Sequence, residues 1–167
     1  MSNTFFSKKS ILLFSVLVLL FSSCSKDDAV SPDYVGTWSA TTTESGMSIK
    51  ENMTFTTDGV TQLSQMSIPT TNLWMDFLKT TATISVNGST MTITYTGIGM
   101  TPDINGSITV LYPVGSSDFQ TYLTVNGFTL SYNSKYSVAG NKLTLMTDND
   151  GDGLYTGTDE TKVYTKQ

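Results

Sequence analysis

Apolar and polar residues alternate along most of the chain from Tyr34 onward. In "MTITY" (91–95), Met91, Ile93 and Tyr95 share one face of an extended chain, and the threonines between them share the other. Threonine is β-branched and suits a half-solvated sheet face, so this pattern predicts antiparallel strands. Similar alternation recurs in the segments 82–86, 108–112, 128–132 and 142–146.

Short turn signals separate these segments. Asn87-Gly88, Asn105-Gly106 and Asn126-Gly127 are typical of two-residue hairpin turns, in which both central residues need a positive φ. Asp58-Gly59 and Gly140-Asn141 are similar breaks. No pattern indicates crossover helices, so the sequence predicts an all-β fold, an antiparallel up-and-down meander of roughly eight to ten strands.

One segment, 69–80, departs from the alternation. Its sequence "PTTNLWMDFLKT" places Leu73, Trp74, Phe77 and Leu78 at helical spacing. A helix this short depends on tertiary contacts. We therefore expect one short helix here, which either plugs one end of a closed sheet or forms a lid over a cavity inside it.

Residues 1–23 have the pattern of a secretory signal peptide. Lys8 and Lys9 precede the apolar run 11–21. At about 1.5 Å of rise per residue this run is too short to cross a hydrocarbon core of about 30 Å. A cationic start, a short apolar segment and small residues after it are typical of an export signal that is removed from the mature protein.

The single cysteine, Cys24, ends this segment in "LFSSC". The sequence resembles the lipobox of bacterial lipoproteins, whose pattern Leu20, Ser22 and Ser23 fit. The resemblance implies that Cys24 carries a diacylglycerol through a thioether, and that its new amine receives a third chain such as palmitate. Acyl chains contribute about 0.8 kcal/mol per buried methylene, so three of them would anchor the chain to a membrane. The alternative is a plain signal peptide followed by a free thiol, a liability in an exported protein.

The four residues after the cysteine, "SKDD", suggest a destination. They resemble the short Lys/Asp-rich tag of surface lipoproteins of the Bacteroidetes type. The resemblance implies that Lys26, Asp27 and Asp28 direct an outer-membrane lipoprotein to the cell exterior; a polar linker at the periplasmic face is the alternative. In either case residues 24–33 would form the acylated cysteine and a flexible tether, and residues 34–167 the folded domain.

The predicted domain opens with "YVGTWSATT" (34–42), in which Gly36 and Trp38 resemble the Gly-x-Trp signature of lipocalins. In that family the tryptophan packs across the closed end of the barrel. The stretches 136–148 and 162–167 resemble the closing strands of small bacterial lipocalin-like lipoproteins. The chain has no arginine, so the arginine that stacks on this tryptophan in lipocalins is missing. The resemblance implies that the predicted meander closes into a lipocalin-like barrel.

Composition excludes several functions. The chain contains no histidine and no arginine, and its net charge is −5. An acidic surface without arginine is a poor match for phosphate backbones, so we exclude nucleic acid as a partner. Histidine-dependent nucleophile pairs and histidine zinc sites are also excluded. Carboxylates such as Glu51 and Asp76 occur singly, without the spacing of a glycosidase pair. We therefore expect a protein that is not an enzyme.

The stretch "DNDGDG" (148–153) is the most metal-like part of the sequence. It resembles the start of an EF-hand loop, in which alternate acidic residues supply oxygen ligands to calcium. The candidate ligands are Asp148, Asp150, Asp152, the carbonyl of Leu154, Asp159 and the adjacent Glu160. Strands rather than helices are predicted on both sides, so an empty, solvated hairpin loop is the alternative. If Ca²⁺ binds, we expect weak affinity and a structural role in clamping the last hairpin.

Two functions remain open at this stage. A lipid-anchored cell-surface binding module would hold a small apolar ligand among the methionines, phenylalanines and tyrosines of its inner faces. A barrel of about eight strands can instead be filled by its own side chains, and would then be a structural or interaction subunit of an outer-membrane surface complex. A continuous apolar cavity inside the sheet would favour the first function.

Overall fold

Nine strands and one helix form the regular structure of the residues that the computed structural model describes. These residues are 31–44, 46–68, 73–100, 106–148, 154–155, 157 and 160–167. The strands are β1 (Gly36–Glu44), β2 (Met47–Phe55), β3 (Gly59–Ile68), β4 (Leu73–Asn87), β5 (Thr90–Gly99), β6 (Tyr112–Pro113), β7 (Ser131–Ala139), β8 (Lys142–Thr147) and β9 (Thr161–Lys166). The helix, α1, is Ser117–Asn126. Together they belong to one unit that spans Pro32–Gln167.

Eight of these strands form a closed antiparallel barrel. Neighbours follow chain order from β1 to β5 and then from β7 to β9, and β9 pairs with β1. The short strand β6 pairs with the end of β5 beyond β7. The predicted all-β, up-and-down, lipocalin-like barrel with one short helix is therefore confirmed.

The junction of β1 and β9, which we call the closing seam, is the shortest ladder of the ring. It pairs Trp38 with Lys166 and Ser39 with Thr165, whereas every other ladder of the ring pairs five residues or more. Beyond Ser39, β1 pairs only with β2 in the described part of the chain. The two strands are therefore joined by main-chain pairing at one end only.

Apolar side chains fill the half of the barrel around Trp38. Trp38 and Leu143 are completely buried, and the indole Nε1 of Trp38 donates a hydrogen bond to the carbonyl of Tyr34 at 2.8 Å. The ring of Tyr34 meets the rings of Phe55 and Tyr136 edge-on, with centroids 6.2 Å and 5.5 Å apart. This half of the barrel is a packed core.

A lysine covers the tryptophan of the Gly-x-Trp signature. The Nζ atom of Lys166 lies 5.2 Å from the ring centroid of Trp38, which is a cation–π distance. Gly36 has a φ of +136°, and a Cβ atom there would lie 3.2 Å from Cε of Lys166. Glycine therefore allows the backbone conformation and leaves room for the lysine side chain. Lys166 thus covers the indole in a chain that contains no arginine.

The predicted helix over 69–80 is wrong for its described residues. Residues 73–80 form the first part of β4, and residues 69–72 lie outside the described ranges. The plug or lid that we expected from this segment is therefore a strand of the barrel wall.

A β-bulge explains the misleading spacing. Ser64 of β3 pairs with Leu78 of β4, and the next residue, Gln65, pairs with Asp76, so Phe77 is an extra residue on β4. A bulge shifts the inward–outward alternation by one residue, and apolar positions around it acquire a helix-like spacing. Pairing with β3 satisfies the backbone here, whereas an isolated helix of this length is marginal.

The helix lies later in the chain, at α1. The hydroxyl of Ser116 caps it by accepting a hydrogen bond from the Phe119 N–H at 3.3 Å, and Phe119 and Leu123 are buried at i and i+4. Asn126-Gly127, predicted as a hairpin turn, is instead the end of α1, where Gly127 adopts a left-handed φ of +67°. That prediction was wrong because a helix C-cap and a type I′ turn require the same positive φ.

Two further predicted strands are mostly irregular. Of residues 108–112, only Tyr112 belongs to a strand, β6, because the Ile108 N–H is held by the carboxylate of Asp76 at 3.0 Å rather than by a ladder. Of residues 128–132, only the last two belong to β7. The predicted strands 82–86, 91–95 and 142–146 lie within β4, β5 and β8.

The remaining turn predictions are confirmed where the structure describes them. Gly88 lies in the turn between β4 and β5, and Gly140 in the turn between β7 and β8, each with a φ of +60°. The predicted break at Asp58-Gly59 is a turn one residue earlier: Thr57 and Asp58 connect β2 to β3, and the Thr56 N–H donates to the carbonyl of Gly59, the first residue of β3, at 2.9 Å. Asn105 lies outside the described residues.

Candidate functional site

The inner face of the barrel becomes polar beyond the apolar core. On β2, Phe55 and Met53 belong to the core, and Glu51 is the next residue on the same face. The alternation of side chains therefore directs the carboxylate of Glu51 into the barrel. Glu51 pairs with Ala40 of β1, whose small side chain leaves space beside the carboxylate.

Two side chains of β9 bind this carboxylate. Nζ of Lys162 donates to Oε1 of Glu51 at 2.6 Å, and the hydroxyl of Tyr164 donates to Oε2 at 2.8 Å. Because β1 lies between β2 and β9, these contacts cross the closing seam where its main-chain pairing has ended. We call these three residues the Glu51 cluster. The side chains of Glu51 and Lys162 are 17% and 39% exposed.

Two tyrosines stand beside this cluster. The rings of Tyr95 and Tyr132 have centroids 5.7 Å apart and are tilted by 44°. Burial raises the pKa of Tyr132 well above its usual range, and the neighbouring Tyr95 and Glu51 raise it further. Burial also raises the pKa of Tyr164, and the charge of Glu51 adds to this effect. These phenols therefore remain protonated at neutral pH and offer neutral hydroxyl groups.

A cavity of about 590 Å³ opens next to these tyrosines. This volume lies within the range of about 300–1,000 Å³ that is typical of small-molecule sites. Its described lining is mixed, with aromatic rings, amides, hydroxyls and one carboxylate. The lining residues are Tyr95, Asn126, Gly127, Phe128, Thr129, Tyr132, Thr147 and Asp148.

A second cavity of about 190 Å³ reaches deeper into the barrel and shares Tyr132 and Thr147 with the first. Met53 and Leu145 supply its apolar lining, and the Glu51 cluster, Gln62, Ser134 and Glu160 supply its polar lining. Neither of these two cavities is the continuous apolar cavity that we expected for a small apolar ligand.

Helix α1 and the loop after it form one side of the larger cavity. Phe119 and Leu123 of α1 pack with Ile98 in a second apolar cluster, and Tyr95 packs against both this cluster and the main core. Beyond the helix, the ring of Phe128 stacks on Tyr122, with centroids 5.7 Å apart and planes 20° from parallel. Phe128 is 50% exposed, so it presents an aromatic surface at the rim.

The structure describes only some of the predicted calcium ligands. Asp148 lines the larger cavity, and Leu154 is 57% exposed. Asp150, Asp152 and Asp159 lie outside the described residues. No group of three acidic, histidine or cysteine side chains lies close enough to hold a metal within the described ranges. Calcium binding therefore stays a prediction.

Glu160 has a local role in the same loop. It is 6% exposed, and its Oε2 accepts a hydrogen bond from the Gly157 N–H at 2.8 Å. Its backbone carbonyl accepts another from the Thr147 N–H at 2.8 Å. Earlier in the loop, the ring of Tyr155 lies 4.2 Å from Nζ of Lys135 on β7. These contacts attach the described parts of the loop to β7 and β8.

The predicted export and sorting residues lie outside the described part of the chain. They are Cys24, Lys26, Asp27 and Asp28, together with the signal segment 1–23. Among the described residues, no helix is both long enough and apolar enough to cross a bilayer.

The Glu51 cluster was not recognised in the sequence, where Glu51 appeared as a lone carboxylate. A signal was present, because Glu51 continues the inward alternation of Met53 and Phe55, and Lys162 shares a face with Tyr164. A charged residue on an inward-facing strand position indicates a buried polar site. Its partner could not be identified, since the pairing of β9 with β1 depends on ring closure.

Comparison with known proteins adds no family assignment. No protein-family model matches the chain, and no curated protein is significantly similar to it.

Proposed function

We propose that this chain is a lipid-anchored binding module on the exterior of the outer membrane, and that it holds a small ligand in the open half of its barrel without catalysing a reaction. The observation that supports binding is the cavity of about 590 Å³ at Tyr95 and Tyr132, which shares Tyr132 and Thr147 with the cavity at the Glu51 cluster. An apolar face of the ligand would pack against the aromatic rings, and its polar groups would reach the deeper cavity.

The proposed anchor rests on the sequence. Cys24 follows an apolar segment in a lipobox-like context, and Lys26, Asp27 and Asp28 resemble a surface-sorting tag. With a net charge of −5, the chain would be repelled by anionic headgroups. Acyl chains would therefore supply the attachment to the membrane.

Native mass spectrometry of the full chain extracted from its own membranes tests ligand binding. We expect a co-purified small molecule on the wild type and its loss in Phe128→Ala, which removes an exposed ring at the cavity rim. Tyr136→Phe is the matched control, because it removes a hydroxyl in the opposite, filled half of the barrel. A wild-type protein without any bound molecule, which also fails to bind a fluorescent fatty acid, would count against a binding module.

The anchor and its orientation are tested separately. Cys24→Ser should abolish acylation, as detected by radiolabelled palmitate, and release or stall the precursor. Replacing Lys26, Asp27 and Asp28 with alanine should keep the acyl chains but remove the protein from the cell exterior. Equal cleavage of the triple variant and the wild type by protease added to whole cells would refute the sorting tag and leave the anchor intact.

A filled-barrel interaction subunit is the second candidate. It is favoured by the packed half around Trp38 and by exposed apolar side chains such as Leu73, Val110 and Val114. Capture from intact surface membranes distinguishes the two functions. This candidate requires a stoichiometric protein partner and a cavity without a ligand.

A further inference from the structure

The charged side chains that line the two cavities in the described part of the chain already have partners. Glu51 and Lys162 bind each other, and Asp148 and Glu160 each make an interaction as well. An anionic ligand would meet three carboxylates against one ammonium group, and a cationic ligand would have to displace an existing partner of one of these carboxylates. Both are unfavourable in a partly desolvated site. A ligand without a net charge meets neither obstacle.

The polar groups that remain for a ligand include both donors and acceptors. Lys162 has two N–H groups besides the one that binds Glu51, and Gln62 uses one N–H on Ser64 and keeps its carbonyl oxygen. The neutral hydroxyl of Tyr132 already makes a hydrogen bond with Tyr95 and can make another with a ligand. Hydroxyl groups of a ligand have the same dual capacity, whereas an apolar ligand would desolvate these groups without replacing their hydrogen bonds with water.

Aromatic faces supply the apolar part of the site. Tyr95, Phe128 and Tyr132 line the larger cavity, and aromatic rings carry negative electrostatic potential on their faces. The polarised C–H groups on one face of a saccharide ring complement such a surface, while the hydroxyls point away from it. A cavity of about 590 Å³ accommodates roughly one or two such rings.

We infer that the ligand is a neutral, hydroxyl-rich ring compound of the saccharide class, with a ring face against Tyr132 and Phe128 and hydroxyls toward the Glu51 cluster. This inference rests on the proposed binding function and names the chemistry of its ligand. It also distinguishes the cavity from a purely apolar carrier site.

Ligand-observed NMR on the full chain in lipid nanodiscs tests it, with empty nanodiscs as the blank. The probes are neutral mono- and disaccharides, namely glucose, galactose, mannose, N-acetylglucosamine, maltose, cellobiose and lactose. Glucuronate and glucosamine serve as charged analogues, and a fluorescent fatty acid as the apolar probe. We expect at least one neutral saccharide to bind, and the acid and amine analogues of a bound sugar to bind roughly tenfold more weakly. The carboxylates of the lining repel the acid, and the amine must displace an existing partner of one of them.

Two variants assign the binding to this cavity. Tyr132→Phe keeps the ring and removes one hydroxyl, so it should weaken binding about 3- to 10-fold. Phe128→Ala removes an exposed ring and should weaken it by a similar factor, and melting curves verify that both variants are folded. Tyr136→Phe, in the filled half, should bind like the wild type.

The outcomes separate this inference from the proposed function. Binding of the fatty acid, sensitive to Phe128→Ala, without binding of any neutral saccharide would overturn the saccharide inference and preserve the binding module. Charged analogues that bind as tightly as the neutral sugars would overturn the inference too, as would saccharide binding that neither cavity variant changes. Failure of every probe would overturn it together with the proposed function.

Discussion

Nζ of Lys162 lies 2.6 Å from Oε1 of Glu51, although 111 positions separate the two residues in the chain. The pair joins β9 to β2 across β1, on the side of the closing seam where main-chain pairing has ended. A side-chain contact thus connects two strands that share no ladder. The same contact forms part of the polar lining of the deeper cavity. A substitution in this pair should therefore change both the stability of the barrel and the lining of the proposed binding site.

Lys162→Met should lower the free energy of unfolding by about 1 kcal/mol, because it leaves a half-buried carboxylate with one hydrogen bond fewer. The loss stays below that of a fully buried pair, since Lys162 is 39% exposed. Urea unfolding measures it, and a cycle with Glu51→Gln should give a coupling of roughly 0.5–1 kcal/mol. Lys142→Met is the control, because Nζ of Lys142 binds a threonine hydroxyl at the surface. Equal losses for the two lysines would mean that the ion pair contributes nothing.

Alkaline pH should destabilise the barrel through its buried tyrosines. The pKa values of Tyr132 and Tyr164 are raised in the folded state, mainly by burial, while an unfolded tyrosine has a pKa of about 10. The contribution of these two tyrosines to stability is therefore fully present below pH 10 and decreases above it. Above pH 10 the unfolded chain loses tyrosine protons that the folded protein retains, and this stabilises the unfolded state. The free energy of unfolding should fall by up to about 1.4 kcal/mol per pH unit for each tyrosine.

Tyr132→Phe provides the check on this pH dependence. Urea unfolding between pH 8 and pH 11 should show a shallower alkaline decline in this variant than in the wild type. Indistinguishable slopes would show that the hydroxyl of Tyr132 ionises as readily in the folded protein as in the unfolded chain.

Gly36→Ala should cost about 1–3 kcal/mol of stability, since a φ of +136° is unfavourable for a residue with a Cβ atom. The new methyl group would also crowd Cε of Lys166 at 3.2 Å. Gly46→Ala is a matched control with a positive φ of +81° and no atom within 4 Å of the added Cβ. Thermal unfolding should show a larger loss of stability for Gly36→Ala than for Gly46→Ala. An equal loss for the two variants would mean that crowding of Lys166 does not contribute to the cost at Gly36.

Calcium at millimolar concentration should raise the melting temperature by several degrees. Repulsion is expected among the acidic side chains of this loop, which include Asp148, Asp150 and Asp152. A cation that binds only the folded loop would relieve this repulsion and stabilise the folded protein by about 2.7 kcal/mol at a hundredfold excess over Kd. Magnesium should act less, because it demands a tighter octahedral geometry. Asp148→Ala with Asp152→Ala should remove the difference, and identical melting of the wild type in calcium and in chelator would rule the site out.

Local patterns predicted the all-β class and part of the barrel wall. Alternation around Met91 and Ile93 identified β5, and glycine identified the turns at Gly88 and Gly140. Both signals act over a few residues, and their physical causes, side-chain alternation and positive φ, are local. Where two structures share the same local requirement, as at Gly127, the sequence could not distinguish them.

The candidate site was beyond the reach of the sequence for a different reason. Its residues come from strands far apart in the chain, and only ring closure brings Glu51 to Lys162 and Tyr164. The bulge at Phe77 depends likewise on pairing with β3. The positions of the Glu51 cluster and of the bulge are fixed by pairing between distant segments, rather than by the secondary-structure propensity of the local sequence.

The closing seam also has a kinetic consequence. Trp38 and Ser39 find their partners only at Lys166 and Thr165, whereas the other ladders join neighbours in the order of synthesis. Closing so long a loop costs more entropy than forming any single hairpin, so ring closure should be the slow, final step of folding. Until β9 docks, the growing sheet has the open edges of β1 and β8, and these edges are exposed to aggregation until the ring closes.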